Sequence, residues 1–395
     1  MTKKTEAVRV PPGIFPRRFP GFGVYNARAN SPETFRRAAL TVLTALLLIT
    51  VLFFGFLPKK PLLALGENAT KKPLSGRAVI EQTSRRVLFE ENADTPMEMA
   101  STTKIMTAYL TVKHADLHQT VRIPPEACNV EGSSIYLKEG EEWEIEKLLY
   151  GLMLRSGNDA ATALAIAVSG SVEDFVSLMN RTAESLCLFH THFENPHGLS
   201  SPHHKTTAKE LALLTAAAMD EPDFCRVVRT KSVTFPTTDG KTVTFLNKNK
   251  FLSAFPGACG VKTGYTKAAG RCFVSAAKQN GMTVITATLN DPDMWNTAER
   301  LSEESFRNYR LVEIPALSVP QKLPGKEGEN LFASTKKVKA LPLKAGEESA
   351  LSFRTEWREG NGKIPDLEKE AGKIYVYAAK QLIFSDKIYI MDGEN

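Results

Sequence analysis

A serine and a lysine stand three residues apart in residues 99–110, a stretch with the composition of the start of a helix. Residues three apart on a helix are neighbours, so the Ser101 hydroxyl and the Lys104 amine are expected to meet. Lysine can act as the base for a serine nucleophile while its amine is neutral, and burial or a second nearby cation favours that form. The helix N-terminus adds partial positive charge near Ser101, where an oxyanion forms during acyl transfer. The pair predicts covalent catalysis, although one Ser-x-x-Lys is expected by chance in about every chain of this length.

Two further tripeptides carry groups that could complete such a site. Ser156 and Asn158 flank a glycine just before a predicted helix, where a turn can aim both side chains at one point, although they could equally cap the helix. Lys262 and Thr263 precede Gly264 on a predicted strand that leads into a hairpin. The lysine and threonine would offer a positive charge and a hydroxyl donor to a substrate carboxylate. The glycine would let a substrate backbone approach closely.

Strands on both sides of a helical middle must position these groups. Residues 78–80 and 87–89 predict a hairpin with a polar turn at 83–86. Apolar periodicity predicts helices at 145–154, 160–168, 172–188 and 207–219. Strands are expected at 231–235, 242–245, 260–262, 272–277 and 283–289, and a helix at 297–310. The pattern predicts one α/β domain.

The composition turns to Pro, Gly and Lys at residues 315–329, which marks a boundary. Beyond it, apolar and polar residues alternate at 351–358, and residues 374–377 and 382–390 also favour strands. The last 80 or so residues therefore predict a small β domain. It contains no cluster of catalytic side chains, so we expect a spacer or binding module and no second active site.

The N-terminal region predicts a membrane segment. Eight Lys or Arg fall within residues 1–37, which favour a disordered tail, and they lead into 20 uncharged residues at 38–57. That run is long enough to span a bilayer, and the positive charge before it favours a cytoplasmic tail. A cleaved signal peptide is the alternative, but the run is longer than usual for one. After a polar linker at 58–72, the rest of the chain is expected outside the cytoplasm.

Overall composition is that of an ordinary globular protein. The 395 residues leave room for two folded domains, with 43% hydrophobic and 24% charged residues. The formal net charge of +6 is modest and spread along the chain, and no nucleic-acid-binding signature accompanies it.

Ser-x-x-Lys, Ser-x-Asn and Lys-Thr-Gly in this order are the motifs of penicillin-binding proteins and β-lactamases. The chain resembles the low-molecular-mass penicillin-binding proteins that act as D-alanyl-D-alanine carboxypeptidases, over roughly residues 73–390. Residues 192–199 and 305–309 add to the likeness. The resemblance implies a β-lactamase/transpeptidase-like α/β catalytic domain at 73–312, with an antiparallel sheet and helices, followed by a small β-sandwich at 316–395.

The resemblance also implies a role for each motif residue. The catalytic set is the nucleophile, the base and a proton relay, namely Ser101, Lys104 and Ser156. The substrate-binding set holds the substrate amide and the terminal carboxylate, namely Asn158 for the amide and Lys262, Thr263 and Gly264 for the carboxylate end. The backbone N–H groups of Ser101 and Tyr265 would form the oxyanion hole. Lys262 would also supply the cation that favours a neutral Lys104.

The chemistry so implied is attack of Ser101 on the carbonyl between the two terminal D-alanines of a peptidoglycan stem peptide. No metal or organic cofactor is expected, and β-lactam antibiotics should acylate the same serine. Two features depart from the family. Residues 388–395 form no amphipathic membrane-binding helix, so the N-terminal segment is expected to serve as the anchor. Residues 291–300 also lack a basic residue near their start that could bind the carboxylate.

Three other functions share these motifs. A class A β-lactamase needs a glutamate that activates the deacylating water, and Glu194 lies in the wrong motif for it. A membrane-bound β-lactam sensor needs a signalling module, for which residues 1–37 are too short. A peptidoglycan endopeptidase uses closely related chemistry and stays open.

Five of the seven histidines lie in residues 190–204. No Cys or carboxylate spacing completes a metal site with them, so a polar loop near the rim of the active site is the favoured interpretation. Cys259 and Cys272 flank the Lys-Thr-Gly hairpin, and export would permit a disulfide between them. Two buried thiols are favoured, because free cysteine prefers protein interiors.

Overall fold

The computed structural model describes residues 74–236, 242–314, 318–320, 332–335, 340–357 and 370–391. The tail, membrane segment and linker predicted at 1–37, 38–57 and 58–72 lie outside the described residues. The boundaries expected for the two folded domains stay predictions.

The strands of the catalytic part are β1 (Gly76–Glu81), β2 (Val87–Glu91), β3 (Met97–Glu98), β4 (Thr120–Arg122), β5 (Glu142–Glu144), β6 (Lys205–Thr206), β7 (Ser232–Pro236), β8 (Thr242–Leu246), β9 (Ala258–Thr266), β10 (Gly270–Gln279) and β11 (Met282–Leu289). Its helices are α1 (Lys104–His114), α2 (Ile145–Tyr150), α3 (Asn158–Ser169), α4 (Val172–Ser185), α5 (Ala208–Ala218), α6 (Pro222–Val228), α7 (Phe251–Ala254) and α8 (Met294–Asn308). A 3₁₀ turn, Ala100–Thr103, runs directly into α1, and a π-helical turn, Gly151–Arg155, follows α2.

Five antiparallel strands form the central sheet in the order β2-β1-β11-β10-β9. Helix α5 packs against β1 and β11 on one face, and α8 packs against β10 and β11 on the other. Because both faces are covered, β1 and β11 are buried along their whole length. Strand β9, with the Lys-Thr-Gly motif, forms one edge of the sheet and lies against the 3₁₀ turn.

Helix α1 is buried in the middle of the helical layer. It packs against α3, α5 and α6, and its residues from Lys104 to Thr111 are all buried. A helix surrounded in this way holds its side chains in fixed rotamers, because a close-packed interior leaves little room for alternatives. The lysine at its first position is therefore fixed by the core of the domain.

The C-terminal part is all β. Its strands are β12 (Tyr309–Glu313), β13 (Ser318–Pro320), β14 (Phe332–Ser334), β15 (Ala340–Lys344), β16 (Leu351–Trp357), β17 (Glu370–Ala378) and β18 (Gln381–Met391). Five of them pair in the order β13-β14-β18-β17-β16, and β12 pairs with β15. They enclose a separate hydrophobic core that includes Leu341, Ile374 and Val376. The predicted antiparallel sheet with helices, followed by a small all-β domain, is confirmed.

Several local predictions needed adjustment. The helix expected at 145–154 is α2 followed by the π-helical turn, and the helix expected at 297–310 begins at Met294 and ends at Asn308. Strands β3 to β6 were not predicted, since each has only two or three residues. Among the described helices, none is by itself long and apolar enough to cross a bilayer, and α3 and α4, which meet at an 82° bend, meet those criteria only when taken together.

All five cysteines lie in described residues and are free thiols. Strand register explains why Cys259 and Cys272 form no disulfide. Cys272 lies opposite Gly264, which is five residues along β9 from Cys259. At about 3.3 Å per residue the two cysteines are roughly 16 Å apart, whereas a disulfide needs Cα atoms within about 7 Å.

Candidate active site

The Ser-x-x-Lys pair meets as expected. Ser101 lies in the 3₁₀ turn, half-buried, and Lys104 is the first residue of α1. Their Oγ and Nζ atoms are 3.0 Å apart. The turn and the helix together bring the hydroxyl and the amine onto one face, which is a local consequence of their spacing.

The Lys104 amine has two more neighbours, and both are oxygen atoms that can only accept. Its Nζ lies 2.7 Å from Asn158 Oδ1 and 2.6 Å from the backbone oxygen of His197. A neutral amine has two hydrogens and one lone pair. The two hydrogens serve these acceptors, so the lone pair is left for the proton of the Ser101 hydroxyl. This is the arrangement of a general base beside its nucleophile.

The electrostatic surroundings favour that neutral form. Lys104 is fully buried. Burial, and then the positive charges of Lys262 and Lys248, hold the pKa of Lys104 well below its usual range. Desolvation and a second nearby cation, the two effects expected from the sequence to favour a neutral Lys104, are both present in the structure.

Lys262 lies on β9 and is also buried, with 2% of its surface exposed. Its Nζ donates to Ser156 Oγ at 3.1 Å and to the backbone oxygen of Thr263 at 2.8 Å. Burial and the charge of Lys248 lower the pKa of Lys262 to about 7. An anion bound beside it would favour its charged form.

Ser156 is held by an unusual backbone conformation. It follows the π-helical turn with φ 66° and ψ 32°, in the left-handed region that a serine rarely adopts. Its side chain is buried against Lys262. Residues held in such conformations cluster at functional sites, where surrounding structure offsets the strain.

Asn158, the first residue of α3, bridges the site to a neighbouring loop. Its Oδ1 accepts from Lys104, its Nδ2 donates to the backbone oxygen of Glu131, and its backbone N–H donates to Ser133 at 2.7 Å. An amide nitrogen carries two hydrogens, so one of them is left for a substrate. A Cβ on Gly132 would lie 2.7 Å from Asn158 Nδ2, so only glycine fits beside it.

The adjacent Asp159 supports that loop from inside. Its buried carboxylate accepts from Ser134 Oγ and from the backbone N–H groups of Ile135 and Leu137. The loop so fixed leaves Tyr136 83% exposed with φ 64°. Asp159 was not among the residues singled out from the sequence, because an aspartate in the first turn of a helix is common.

The Lys-Thr-Gly motif lies on β9, which leads into a hairpin as predicted, and Gly264 is packed against the 3₁₀ turn. A Cβ on Gly264 would lie 2.9 Å from the backbone nitrogen of Ser101 and 3.1 Å from Ala100 Cβ. The glycine therefore makes room for the 3₁₀ turn. Thr263 is half-buried and Tyr265 is 65% exposed on the same strand.

Lys248 is a site residue that the sequence analysis missed. It follows β8, its Nζ lies 3.4 Å from Ser133 Oγ, and its charge lowers the pKa of both Lys104 and Lys262. It places a basic group beside the motif lysines, whereas residues 291–300 have none near their start. Two lysines in the run 247–250 were the available signal, but such a run more often marks a solvated loop.

The histidine-rich segment lies beside the site, as a polar loop. His197 contributes its backbone oxygen to Lys104, and the buried His204 contacts Thr103. The other three, His190, His192 and His203, are exposed. The described residues contain no group of three or more His, Cys, Asp or Glu side chains placed to hold a metal ion.

Comparison with known proteins identifies the family. The sequence profile of the D-alanyl-D-alanine carboxypeptidases of peptidase family S11 matches residues 70–293, more than half of the chain. The chain belongs to this family. The match contains all three motifs and the whole central sheet, so the family assignment rests on the same residues that form the site.

Individual relatives agree with the family. The chain is 32% identical over 250 residues to the D-alanyl-D-alanine carboxypeptidase DacF of Bacillus subtilis, covering 62% of this chain and 64% of DacF. The match therefore spans less than two thirds of that relative. A variant of the DD-transpeptidase of Streptomyces K15 is 32% identical with a TM-score of 0.56, covering 59% of this chain and 97% of that chain.

A third comparison extends to the C-terminal domain. Penicillin-binding protein 5 of Haemophilus influenzae covers 80% of this chain and 96% of its own, with a TM-score of 0.67 and 24% identity. At that identity the likeness shows the fold. It places the family's catalytic domain and the small β domain in one architecture.

Proposed function

We propose that this protein is a serine-type D-alanyl-D-alanine carboxypeptidase that removes the terminal D-alanine from peptidoglycan stem pentapeptides, and thereby limits their cross-linking. The observation that carries the proposal is the Lys104 amine. It is buried, 3.0 Å from Ser101 Oγ, and both of its other neighbours are acceptors. A lone pair directed at the serine proton is what acylation requires.

In the acylation step, the Ser101 oxygen attacks the carbonyl between the two D-alanines while Lys104 takes the hydroxyl proton. The tetrahedral oxyanion forms beside the backbone N–H groups of Ser101 and Tyr265. The bond to the last D-alanine breaks, and its nitrogen takes a proton through Ser156, which is hydrogen-bonded to Lys262. Water then attacks the ester with Lys104 again as the base, and this releases the shortened peptide.

The specificity for a terminal carboxylate comes from β9. Lys262, with Thr263 and the nearby Lys248, forms a positive region next to the nucleophile. A substrate carboxylate in this region would raise the pKa of Lys262, because an opposite charge favours the ammonium form. Binding would therefore draw a proton onto Lys262 near neutral pH. β-Lactam antibiotics carry a carboxylate next to a reactive amide, so they should acylate Ser101 in the same position.

The alternatives receive less support. Glu194, the glutamate considered for a β-lactamase, accepts from the backbone N–H of His203 in the histidine-rich loop. The comparisons include carboxypeptidases and a transpeptidase, and none favours a sensor. An endopeptidase would use the same acyl-enzyme on a cross-linked substrate.

The direct test measures free D-alanine released from a stem pentapeptide ending in D-Ala-D-Ala. Wild-type protein should release it, Ser101→Ala should not, and Ser185→Ala should match the wild type, because Ser185 is an exposed serine on α4. Fluorescent penicillin should label the wild type and Ser185→Ala only. Labelling without D-alanine release would contradict the carboxypeptidase and favour a strict endopeptidase or a sensor.

We further propose that residues 38–57 anchor the protein in the cell membrane, with the catalytic domain outside the cytoplasm. The support is the uncharged 20-residue run and the positive charge before it. The protein should stay in the membrane fraction after alkaline extraction and lose its catalytic domain to protease added outside intact spheroplasts. Recovery in the soluble fraction would contradict the anchor.

A further inference from the structure

The peptide bond between Ala100 and Ser101 is held from its carbonyl side. The Ala100 oxygen accepts the Thr103 hydroxyl at 2.8 Å. A Cβ on Gly198 would lie 2.0 Å from that oxygen, so the Gly198 backbone is packed directly against it. Ala100 itself has φ 47°, a conformation that costs free energy for any residue except glycine. One hydrogen bond from the turn and one close backbone contact from the loop therefore fix this peptide.

The Thr103 hydroxyl is itself oriented by His204. The backbone N–H of Glu194 donates to His204 Nδ1 at 2.9 Å, so Nδ1 must be the acceptor nitrogen. The proton of the neutral ring is then on Nε2, which lies 2.7 Å from Thr103 Oγ1. The hydroxyl accepts from His204 and donates its own hydrogen to Ala100. Each of the three hydrogen bonds that link Glu194, His204, Thr103 and Ala100 therefore has a fixed direction.

The surroundings of His204 favour its neutral form. The ring is 2% exposed, and it packs edge-on against Phe193. Burial lowers the pKa of His204 to about 4; the charge of Glu194 opposes this shift, and those of His192 and Lys104 add to it. A protonated ring would also place an N–H against the N–H of Glu194. The donor on Nε2 is thus present whenever the enzyme is at neutral pH.

A trans peptide is planar, and its C=O and N–H point in opposite directions. Fixing the Ala100 oxygen therefore fixes the direction of the Ser101 N–H. The nitrogen of Ser101 lies 2.9 Å from the position of a Cβ on Gly264, so the N–H end of the peptide lies against β9. A carbonyl that accepts a hydrogen bond also polarises its peptide and makes the N–H a better donor.

We propose that His204 and Thr103 are positioning residues, which aim the Ser101 backbone N–H at the oxyanion of the transition state. The proposal rests on the proposed function, because it concerns the same acyl-transfer site. Neither side chain touches the substrate in this scheme, and both act through the Ala100–Ser101 peptide.

The test compares Thr103→Val with Thr103→Ser. Valine keeps the shape but lacks the hydroxyl, whereas serine keeps the hydroxyl. Losing one oxyanion donor altogether costs about 100- to 1,000-fold in kcat. A donor that is present but poorly aimed should cost less, so kcat for D-alanine release is expected to fall about 10- to 100-fold in the valine variant, with KM unchanged. Thr103→Ser should keep most of the wild-type kcat.

The affinity of a peptide boronic acid is a second measurement, and a purely structural effect of the substitution would leave it unchanged. Its adduct with Ser101 is tetrahedral and places an oxygen in the oxyanion hole. Its affinity should fall by the same factor as kcat in Thr103→Val. The matched control is Thr111→Val on α1. It removes a buried hydroxyl that donates to the backbone oxygen of Thr107 at 2.8 Å, and it should leave both quantities unchanged.

The outcomes separate the alternatives. Wild-type kcat and boronate affinity in Thr103→Val would overturn the proposal, as would equal losses in the valine and serine variants. If the valine variant does not fold, nitrogen NMR of the wild type can show which ring nitrogen of His204 carries the proton. A proton on Nδ1 would be incompatible with the hydrogen bonds from Glu194 to Ala100 and would overturn the proposal. If the wild type is acylated by penicillin but releases no D-alanine, the proposed function fails, and the acylation rates of the same variants still test the positioning.

Discussion

Replacing Gly264 by alanine tests how closely strand β9 is packed against the turn that carries the nucleophile. The new Cβ would lie 2.9 Å from the backbone nitrogen of Ser101, 3.1 Å from Ala100 Cβ and 3.1 Å from the nitrogen of Thr102. Ordinary van der Waals contact begins at 3.4 Å, so the strand and the turn must separate by about half an ångström. Two of the three neighbours are backbone atoms, which cannot rotate away.

The separation should reduce stability and activity together. Overpacking of a close-packed site costs about 1–3 kcal/mol. In a domain of this size each kcal/mol lowers Tm by about 2–4 °C, so Tm should fall by roughly 2–12 °C. Because β9 also carries Lys262, the variant changes the spacing between the carboxylate site and Ser101. A displacement of 1 Å can cost about 100-fold, so about 10-fold in kcat/KM is expected here.

The assay combines D-alanine release with thermal unfolding followed by circular dichroism. Gly170→Ala is the matched control, because Gly170 ends α3 with φ 83° and has nothing within 4 Å of an added Cβ. Backbone strain should make it less stable by about 1 kcal/mol without loss of activity. Gly264→Ala with wild-type kcat/KM and Tm would refute the close packing of β9 on the turn.

Three further predictions concern charged side chains, two of them at the site and one at the β domain. Lys248→Gln removes one of the two causes that lower the pKa of Lys262 to about 7, so the pKa of Lys262 should rise. The alkaline limb of the plot of kcat/KM against pH should then move to higher pH, and an unmoved limb would contradict the assignment of that limb to Lys262. Asp159→Asn places an amide donor against the N–H groups of loop 133–137, so the free energy of unfolding measured in urea should fall by about 1–3 kcal/mol and activity should also fall. Unchanged stability would show that the loop needs no carboxylate. Arg86→Met removes a buried guanidinium that donates to Glu347 and to a backbone oxygen of the β domain. The free energy of unfolding should fall by about 1–3 kcal/mol while kcat is unchanged, and a parallel loss of kcat would argue against a purely structural role.

The sequence was sufficient for the parts of the site that are local. Ser101 and Lys104 meet because three residues on one turn are neighbours, whatever the rest of the chain does. The order of the three motifs indicated the family. Alternation and helical periodicity indicated the central sheet, the helical layer and the small β domain, because strands and helices bury one face with a regular period.

Contacts between distant segments had to come from the tertiary structure. Lys262 reaches Ser156 across 106 residues of sequence, and His204 reaches Thr103 across 101. The position of Lys248, the backbone oxygen of His197 beside Lys104, and the real neighbour of Gly264 are of the same kind. Periodicity records which face of an element is buried, but it does not record what lies against that face. The sequence therefore determined the Ser101–Lys104 pair, whereas only the packing of β9 and the histidine-rich loop against the 3₁₀ turn decided how that pair is charged and aimed.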